Sequence, residues 1–281
     1  MGEKSRFVVS ADWLQENLET PGITIVDASW YLAAAGRNAE AEYETAHIPR
    51  AVFFDQDLVV EPDSQFPHTI PHPRLFERFA SSMGISADDT IVVYDGPGYF
   101  SAPRAWWLFR VMGAKNVFIL DGGFDRWKAE GRPVTDKPTP IAGSAFIADY
   151  DESKVVFLDE MRQLVDQGVQ IADARSLGRF TGKDPEPRPG LRGGHMPGAV
   201  SVPATSLAEN GELLPLDRLR EQLTAAGLDL SRPTVTSCGS GVTAAVIALA
   251  LESVGATGTR LYDGSWSEWG AQPDTPVVTG D

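Results

Sequence analysis

Cysteine occurs once in the 281 residues, at position 238, and histidine only four times. A single cysteine excludes an intrachain disulfide and any metal site built from clustered thiolates, and it suits a reducing compartment, so a cytoplasmic setting is expected. Positive charge is scarce as well: 24 Lys and Arg stand against 39 Asp and Glu, a formal net charge of −15. Nucleic acids and anionic membranes are gripped through basic patches, so neither is an expected partner. Long apolar runs are missing. The longest, Val242 to Leu251, falls short of the ~18 residues that a membrane span needs and stops at Glu252. Met1 to Val9 carries charges but no apolar stretch, so no signal peptide is expected there. The remaining composition, 42% hydrophobic and 22% charged, is that of an ordinary soluble globular protein with room for two domains.

What the sequence does have is a copy of itself. The first half reads Thr24-Ile25-Val26-Asp27-Ala28-Ser29 and then Ala46-His47-Ile48-Pro49-Arg50-Ala51-Val52. The second reads Gln170-Ile171-Ala172-Asp173-Ala174-Arg175 and then Gly194-His195-Met196-Pro197-Gly198-Ala199-Val200. Amphipathic stretches follow in both, Arg74 to Met83 and Leu216 to Ala226, each running into a glycine, Gly84 or Gly227, of the kind that closes a helix. Strand-like Thr90 to Tyr94 matches Thr234 to Ser237, and the helix expected over Ala102 to Met112 matches Ala244 to Val254. Both halves close on Asp-Gly and an aromatic, Asp121-Gly122-Gly123-Phe124 with Trp127 and Asp263-Gly264-Ser265-Trp266 with Trp269. Repetition in one order over the whole length means one domain used twice. Alternating strands and helices imply an α/β fold of two tandem domains, each a parallel sheet flanked by helices. The expected limits are 7–136 and 154–281, with a linker at 137–153 whose Val134 to Ser144 portion is rich in proline and threonine. His47, His195, Asp27, Asp173, Asp121 and Asp263 recur in both copies and are therefore read as histidines and turn or cap residues of the fold.

The copies differ where chemistry is expected. Ser237-Cys238-Gly239-Ser240-Gly241-Val242-Thr243-Ala244 lies between a β-branched strand and an alanine-rich helix, so Cys238 sits at a strand's carboxyl end and just before a helix. Ligands of parallel sheets collect there. Loop N–H groups and the helix's positive end favour thiolate over thiol and make an anion site, which Gly239, Gly241, Val242 and Thr243 would line. Overlaying the copies puts Asp95 where Cys238 stands, in a loop without a suitable nucleophile. One half is thus expected to react and the other to act as scaffold and as a wall of the cleft.

The tandem repeat, the Asp-for-Cys exchange and the loop Cys238-Gly239-Ser240-Gly241-Val242-Thr243 resemble the two-domain rhodanese sulfurtransferases over roughly residues 7–276, and within them the 3-mercaptopyruvate sulfurtransferases. The resemblance implies an enzyme that takes a sulfane sulfur from a small donor onto Cys238 as a persulfide and passes it to an acceptor. That acceptor is a thiol, such as a thioredoxin-like protein, or cyanide. A loop with Gly and Ser after the cysteine, instead of Arg and Lys, suits a singly charged organic donor better than the thiosulfate dianion. The resemblance also assigns roles. Arg179 and Arg188 match two arginines that hold the donor's carboxylate and keto groups, as a bidentate fork can; Arg175, Arg192 and Lys183 are lesser candidates nearby. Ser240, the histidine of Pro67-His68-Thr69-Ile70-Pro71 and Asp57 match a proton relay to the departing enolate, although Thr69-Ile70 departs from the usual Met-Leu and His72 is a rival. No metal, nucleotide or organic cofactor is implied.

Two other readings stay open here: a thiosulfate:cyanide sulfurtransferase, and a persulfide carrier without turnover. A cysteine-loop phosphatase does not, since it needs an arginine where Ala244 stands.

Overall fold

The computed structural model describes residues 2–280. The first half supplies strands β1 (Val8–Val9), β2 (Ile23–Asp27), β3 (Ala51–Phe53), β4 (Thr90–Tyr94) and β5 (Asn116–Leu120). They form one parallel sheet ordered β1-β5-β4-β2-β3. The second half supplies β6 (Val155–Val156), β7 (Gln170–Asp173), β8 (Ala199–Ser201), a small hairpin of β9 (Ala208–Glu209) and β10 (Glu212–Leu213), then β11 (Thr234–Ser237) and β12 (Thr259–Tyr262). Its parallel sheet runs β6-β12-β11-β7-β8, the same order strand for strand. The duplication read from the sequence is therefore a duplication of topology.

The central strands are buried on both faces, which is why β2 and β4 read as apolar, β-branched runs and even the threonines of β11 are buried. Along β4, Ile91 and Val93 point into one core while Val92 and Tyr94 point into another. Along β12, Leu261 and Tyr262 divide in the same way. One core is outer and private to each copy. The inner one is shared, and the helices Ala102–Val111 and Ala244–Ser253 pack against each other within it. Every residue from Ala244 to Leu251 is buried, so this helix has no polar face to display, and its sequence shows none.

Several contacts lock the copies together. Asp121 and Asp263, expected to serve the turns of their own copies, reach across: Asp121 accepts from the Leu213 N–H at 2.9 Å, and Asp263 from the Ile70 N–H at 2.8 Å. Both oxygens of Asp263 are taken by the first copy, Oδ1 by Arg104 and Oδ2 by the Ile70 N–H, so its side chain serves the interface and not its own turn. Lys4 ties the amino-terminal strand to Asp121 and Glu212. Residues 138–151 contain no helix or strand, yet they are pinned along their length. Phe146 is buried edge-on against Phe76, and the N–H groups of Phe146 and Ala148 donate to Ser81 and Glu77. No helix among the described residues is long and apolar enough to cross a membrane.

The β9–β10 hairpin turns on Asn210 and Gly211, both at positive φ (54° and 78°), as a two-residue type I′ turn demands. Its tip meets the first copy, where the Gly211 carbonyl accepts from the Gly122 N–H at 2.8 Å. A Cβ on Gly211 would stand 2.9 Å from the Pro97 carbonyl oxygen and 3.0 Å from that of Gly122. Gly211→Ala is expected to cost roughly 1–3 kcal/mol through strain and this backbone clash. Chemical denaturation checks it, and unchanged stability would mean that the hairpin does not clamp the interface.

Candidate active site

Strand register gives the equivalence of the two loops directly. Asp27 pairs with Tyr94 and Asp173 with Ser237, so the residues that follow, Asp95 and Cys238, occupy one position in two copies. Two backbone bonds repeat around them. The Asp95 and Gly96 carbonyls accept from Phe124 and Asp125, and those of Cys238 and Gly239 from Trp266 and Ser267. Cys238 is 2% exposed, and its own N–H donates to Ser265 Oγ.

The loops differ in what fills them. In the first copy Asp95 Oδ2 accepts from the N–H groups of Phe100, Ser101 and Ala102 at 2.9, 2.6 and 2.8 Å. The side chain has folded back into its own backbone cradle, and burial still pushes its pKa upward against those bonds. In the second copy none of the N–H groups from Gly239 to Ala244 has an acceptor among the described residues. Gly239, Ser240, Val242 and Thr243 line a cavity of about 420 Å³ together with Cys238. Gly241 does not. It sits behind the loop at φ 81°, where a Cβ would stand 3.0 Å from the Asp263 carbonyl oxygen.

Ser240, His68 and Asp57 come together across the interface. His68 Nδ1 lies 2.8 Å from Ser240 Oγ, and Nε2 lies 2.9 Å from Asp57 Oδ1. An ionised carboxylate only accepts, so Nε2 carries the ring proton, Nδ1 is the acceptor, and the serine hydroxyl donates to it. Ser240 faces the cavity, while His68, 4% exposed, lies behind it. Asp57 opens to solvent at the far end, its side chain 65% exposed. Burial lowers the His68 pKa, with help from the Arg104 and Arg188 charges, and outweighs Asp57, which raises it. The hydrogen bond from His68 holds Asp57 below the usual carboxylate range. His72 takes no part: it caps the helix Pro73–Ser82 by accepting from the Arg74 N–H.

Trp30, unassigned from the sequence, belongs to this group. Its Nε1 donates to Asp57 Oδ2 at 3.0 Å, its ring meets His68 edge-on at 4.6 Å, and it stacks on Phe100 at 6.1 Å along the cavity wall. An isolated tryptophan after a strand gives no sequence signal of such a contact.

The arginines sort by their partners. Arg175 is buried in a network with Asp173, Glu186 and the Gly194 carbonyl, over the Trp266 ring. Arg192 spends its guanidinium on Gly270, Trp269 and Thr275. Lys183 is exposed and off the cavity wall. Arg179, on the short helix Leu177–Thr181, lines the cavity beside Gly239 and is paired at 2.5 Å with Glu186. Arg188 also lines the cavity, and it makes no hydrogen bond or ion pair with any described residue. Burial lowers its pKa, and the Cys238 sulfur is the largest charge opposing that. His47 and His195 lie off the cavity, each with Nδ1 on a backbone carbonyl, of Tyr43 and Phe180.

The fold and site define a duplicated parallel α/β protein in which one loop holds a cysteine and its twin a carboxylate. The Rhodanese-like domain model matches the chain twice, over residues 10–130 and 157–272, and the chain belongs to that family. It is 41% identical to the 3-mercaptopyruvate sulfurtransferase of Escherichia coli strain K12, with 96% of each chain covered. It is 39% identical to the mitochondrial thiosulfate/3-mercaptopyruvate sulfurtransferase 1 of Arabidopsis thaliana, over 96% of this chain and 77% of that one. Among solved structures, that of an Escherichia coli 3-mercaptopyruvate sulfotransferase superposes with a TM-score of 0.86 at 37% identity, covering 92% of this chain and 98% of the other.

The imidazole of His68 is expected to titrate below the ordinary histidine range. Between its folded pKa and the higher unfolded one, the unfolded chain binds more protons, so stability falls as pH drops through that window. An NMR titration of the ring protons checks the midpoint, and His68→Gln should flatten the acid side of a stability–pH curve. A midpoint above that of a free imidazole would reverse the assignment.

Proposed function

We propose that the chain is a sulfurtransferase that moves a sulfane sulfur from 3-mercaptopyruvate through a Cys238 persulfide to a thiol or cyanide acceptor, releasing pyruvate. The observation that carries this reading is the Ser240–His68–Asp57 chain that ends at the wall of the Cys238 cavity. When the thiolate attacks the sulfur of mercaptopyruvate, an S–S bond forms and the S–C bond breaks. The electron pair leaves on carbon as the pyruvate enolate, which must take up one proton. The proton that the donor's thiol gives up balances it. With thiosulfate the S–S bond to sulfite breaks instead, and sulfite leaves as a stable dianion needing no proton. A relay is therefore wasted on thiosulfate and useful for a carbon leaving group.

The other parts support the same donor. Arg188, unpaired and half buried, is a cation ready for a carboxylate, with Arg179 beside Gly239 as the second. Arg179 must share its charge with Glu186, so the pair together presents little more than one positive charge, matched to a monoanion. Ser240 passes the proton given up by the donor's thiol to His68 Nδ1, Asp57 steadies the imidazolium, and the proton returns through Ser240 to the enolate carbon. The persulfide is held by the N–H groups from Gly239 to Ala244, and Asp95 supports this by analogy. Its Oδ2 stands as many bonds from Cα as the outer persulfide sulfur would, and it binds the matching N–H groups of its own loop.

Within this reading, 7–136 and 154–281 are the two domains, 137–153 connects them, and only the second reacts. A thiol acceptor such as a thioredoxin-like protein and a cytoplasmic setting belong to the proposal too, since a nucleophile that cycles through a persulfide must stay reduced between turnovers. Thiosulfate as a slower alternative donor is favoured by the double name of the Arabidopsis relative.

The test is persulfide formation followed by intact mass. Mercaptopyruvate should add one sulfur to the wild-type chain and none to Cys238→Ser, with kcat/KM well above that for thiosulfate; turnover by Cys238→Ser would sink the mechanism. Arg188→Ala should raise the KM for mercaptopyruvate about tenfold or more, the loss of a charged hydrogen-bond partner, with little effect on melting temperature. An unchanged KM would remove Arg188 from donor binding.

A further inference from the structure

Arg104 has no place in the chemistry above, yet it touches both halves of the relay. It stands on the first copy's helix Ala102–Val111 and is 1% exposed. Its Nη2 donates to the His68 carbonyl at 2.5 Å and to Asp263 Oδ1 at 2.9 Å. The guanidinium lies 4.6 Å over the Trp107 ring. On its other side, Nη1 would stand 3.1 Å from a Cβ on Gly241, so the group rests against the backbone of the cysteine loop, one residue from Ser240. Nη1 and Nε have no acceptor among the described residues.

His68 needs that support. Its φ of 59° is a left-handed conformation that a histidine adopts at a cost. The backbone just after it is held at two points: its carbonyl by Arg104, and the Ile70 N–H by Asp263. Both holds lead to the single Arg104–Asp263 pair, which is almost fully buried on both sides. Without them the segment is free to relax to an ordinary conformation, and Nδ1 would leave Ser240.

We infer that Arg104 is a positioning residue for proton delivery: with Asp263 it fixes the backbone of His68 against the cysteine loop so that His68 and Ser240 meet. The inference rests on the mercaptopyruvate chemistry proposed above, and it makes a donor-specific claim. Displacing the relay should slow the donor whose leaving group needs a proton and spare the one whose leaving group does not.

The experiment measures single-turnover sulfur loading of Cys238 by intact mass, with mercaptopyruvate and with thiosulfate, in the wild type, Arg104→Met and Arg104→Lys. Arg104→Met should load from mercaptopyruvate about a hundredfold more slowly, the low end of what a positioned proton donor contributes. Its loading from thiosulfate should be nearly unchanged. Arg104→Lys keeps a donor for the His68 carbonyl and should recover part of the lost rate. Since Arg104→Met leaves Asp263 buried and unpaired, the double variant Arg104→Met/Asp263→Asn removes that charge and should show the same donor split if the single variant fails to fold. Equal slowing with both donors, or an unchanged mercaptopyruvate rate, would overturn the inference. A wild-type chain that takes sulfur from thiosulfate alone would instead overturn the proposed donor, and this inference with it.

Discussion

A hydrogen bond tolerates a few tenths of an ångström, and the one between His68 and Ser240 joins side chains from two different domains. Most of the interface can be understood as meeting that tolerance. Two separately folded units joined by a tether would rock by more than a bond length. Here they share a close-packed inner core, and the helices of the two loops lie against each other within it. Packed interiors resist small displacements, so the core sets the distance between the copies. The hairpin tip on Gly122, the Lys4 contacts and the pinned irregular segment act at the periphery, where rotation would have most leverage.

The repeat was legible in the sequence because topology repeats with it, and buried β-branched strands mark the same places in both copies. Both loop strands run as read, to Tyr94 and Ser237, and the long helices agree within a residue at either end. Cys238 was legible from position and the Asp95 exchange from alignment of the copies, a comparison that an unrepeated chain does not offer. The relay was not readable from spacing. Asp57, His68 and Ser240 are brought together by an interface, and only the resemblance to other chains nominated them. Trp30 and Arg104 were missed for the same reason. The first looked like any tryptophan and the second like a charge on a scaffold helix. The hairpin was missed although Asn210-Gly211 is a strong turn signal, since the strands beside it are two residues each and carry no alternation to flag them.

Charge is arranged by subtraction. The stretch from Arg175 to Arg192 carries four arginines and a lysine, but Glu186 is buried between Arg175 and Arg179 and neutralises much of that charge. Arg192 is absorbed by backbone carbonyls. What reaches the cavity is one unpaired guanidinium and a fraction of another. Counting arginines along the chain overstates the field that a bound molecule meets.

Asp95 carries a consequence for bookkeeping of another kind. A duplicated chain could have kept two working centres, but the first loop is permanently occupied by its own carboxylate and its approach is covered by the second copy's hairpin tip. On the proposed mechanism the molecule holds a single sulfur atom per 30.4 kDa, carried by the second copy alone. Such a protein is a poor reservoir. Its sulfur must be handed on before the next atom is accepted, so every turnover needs an acceptor as well as a donor.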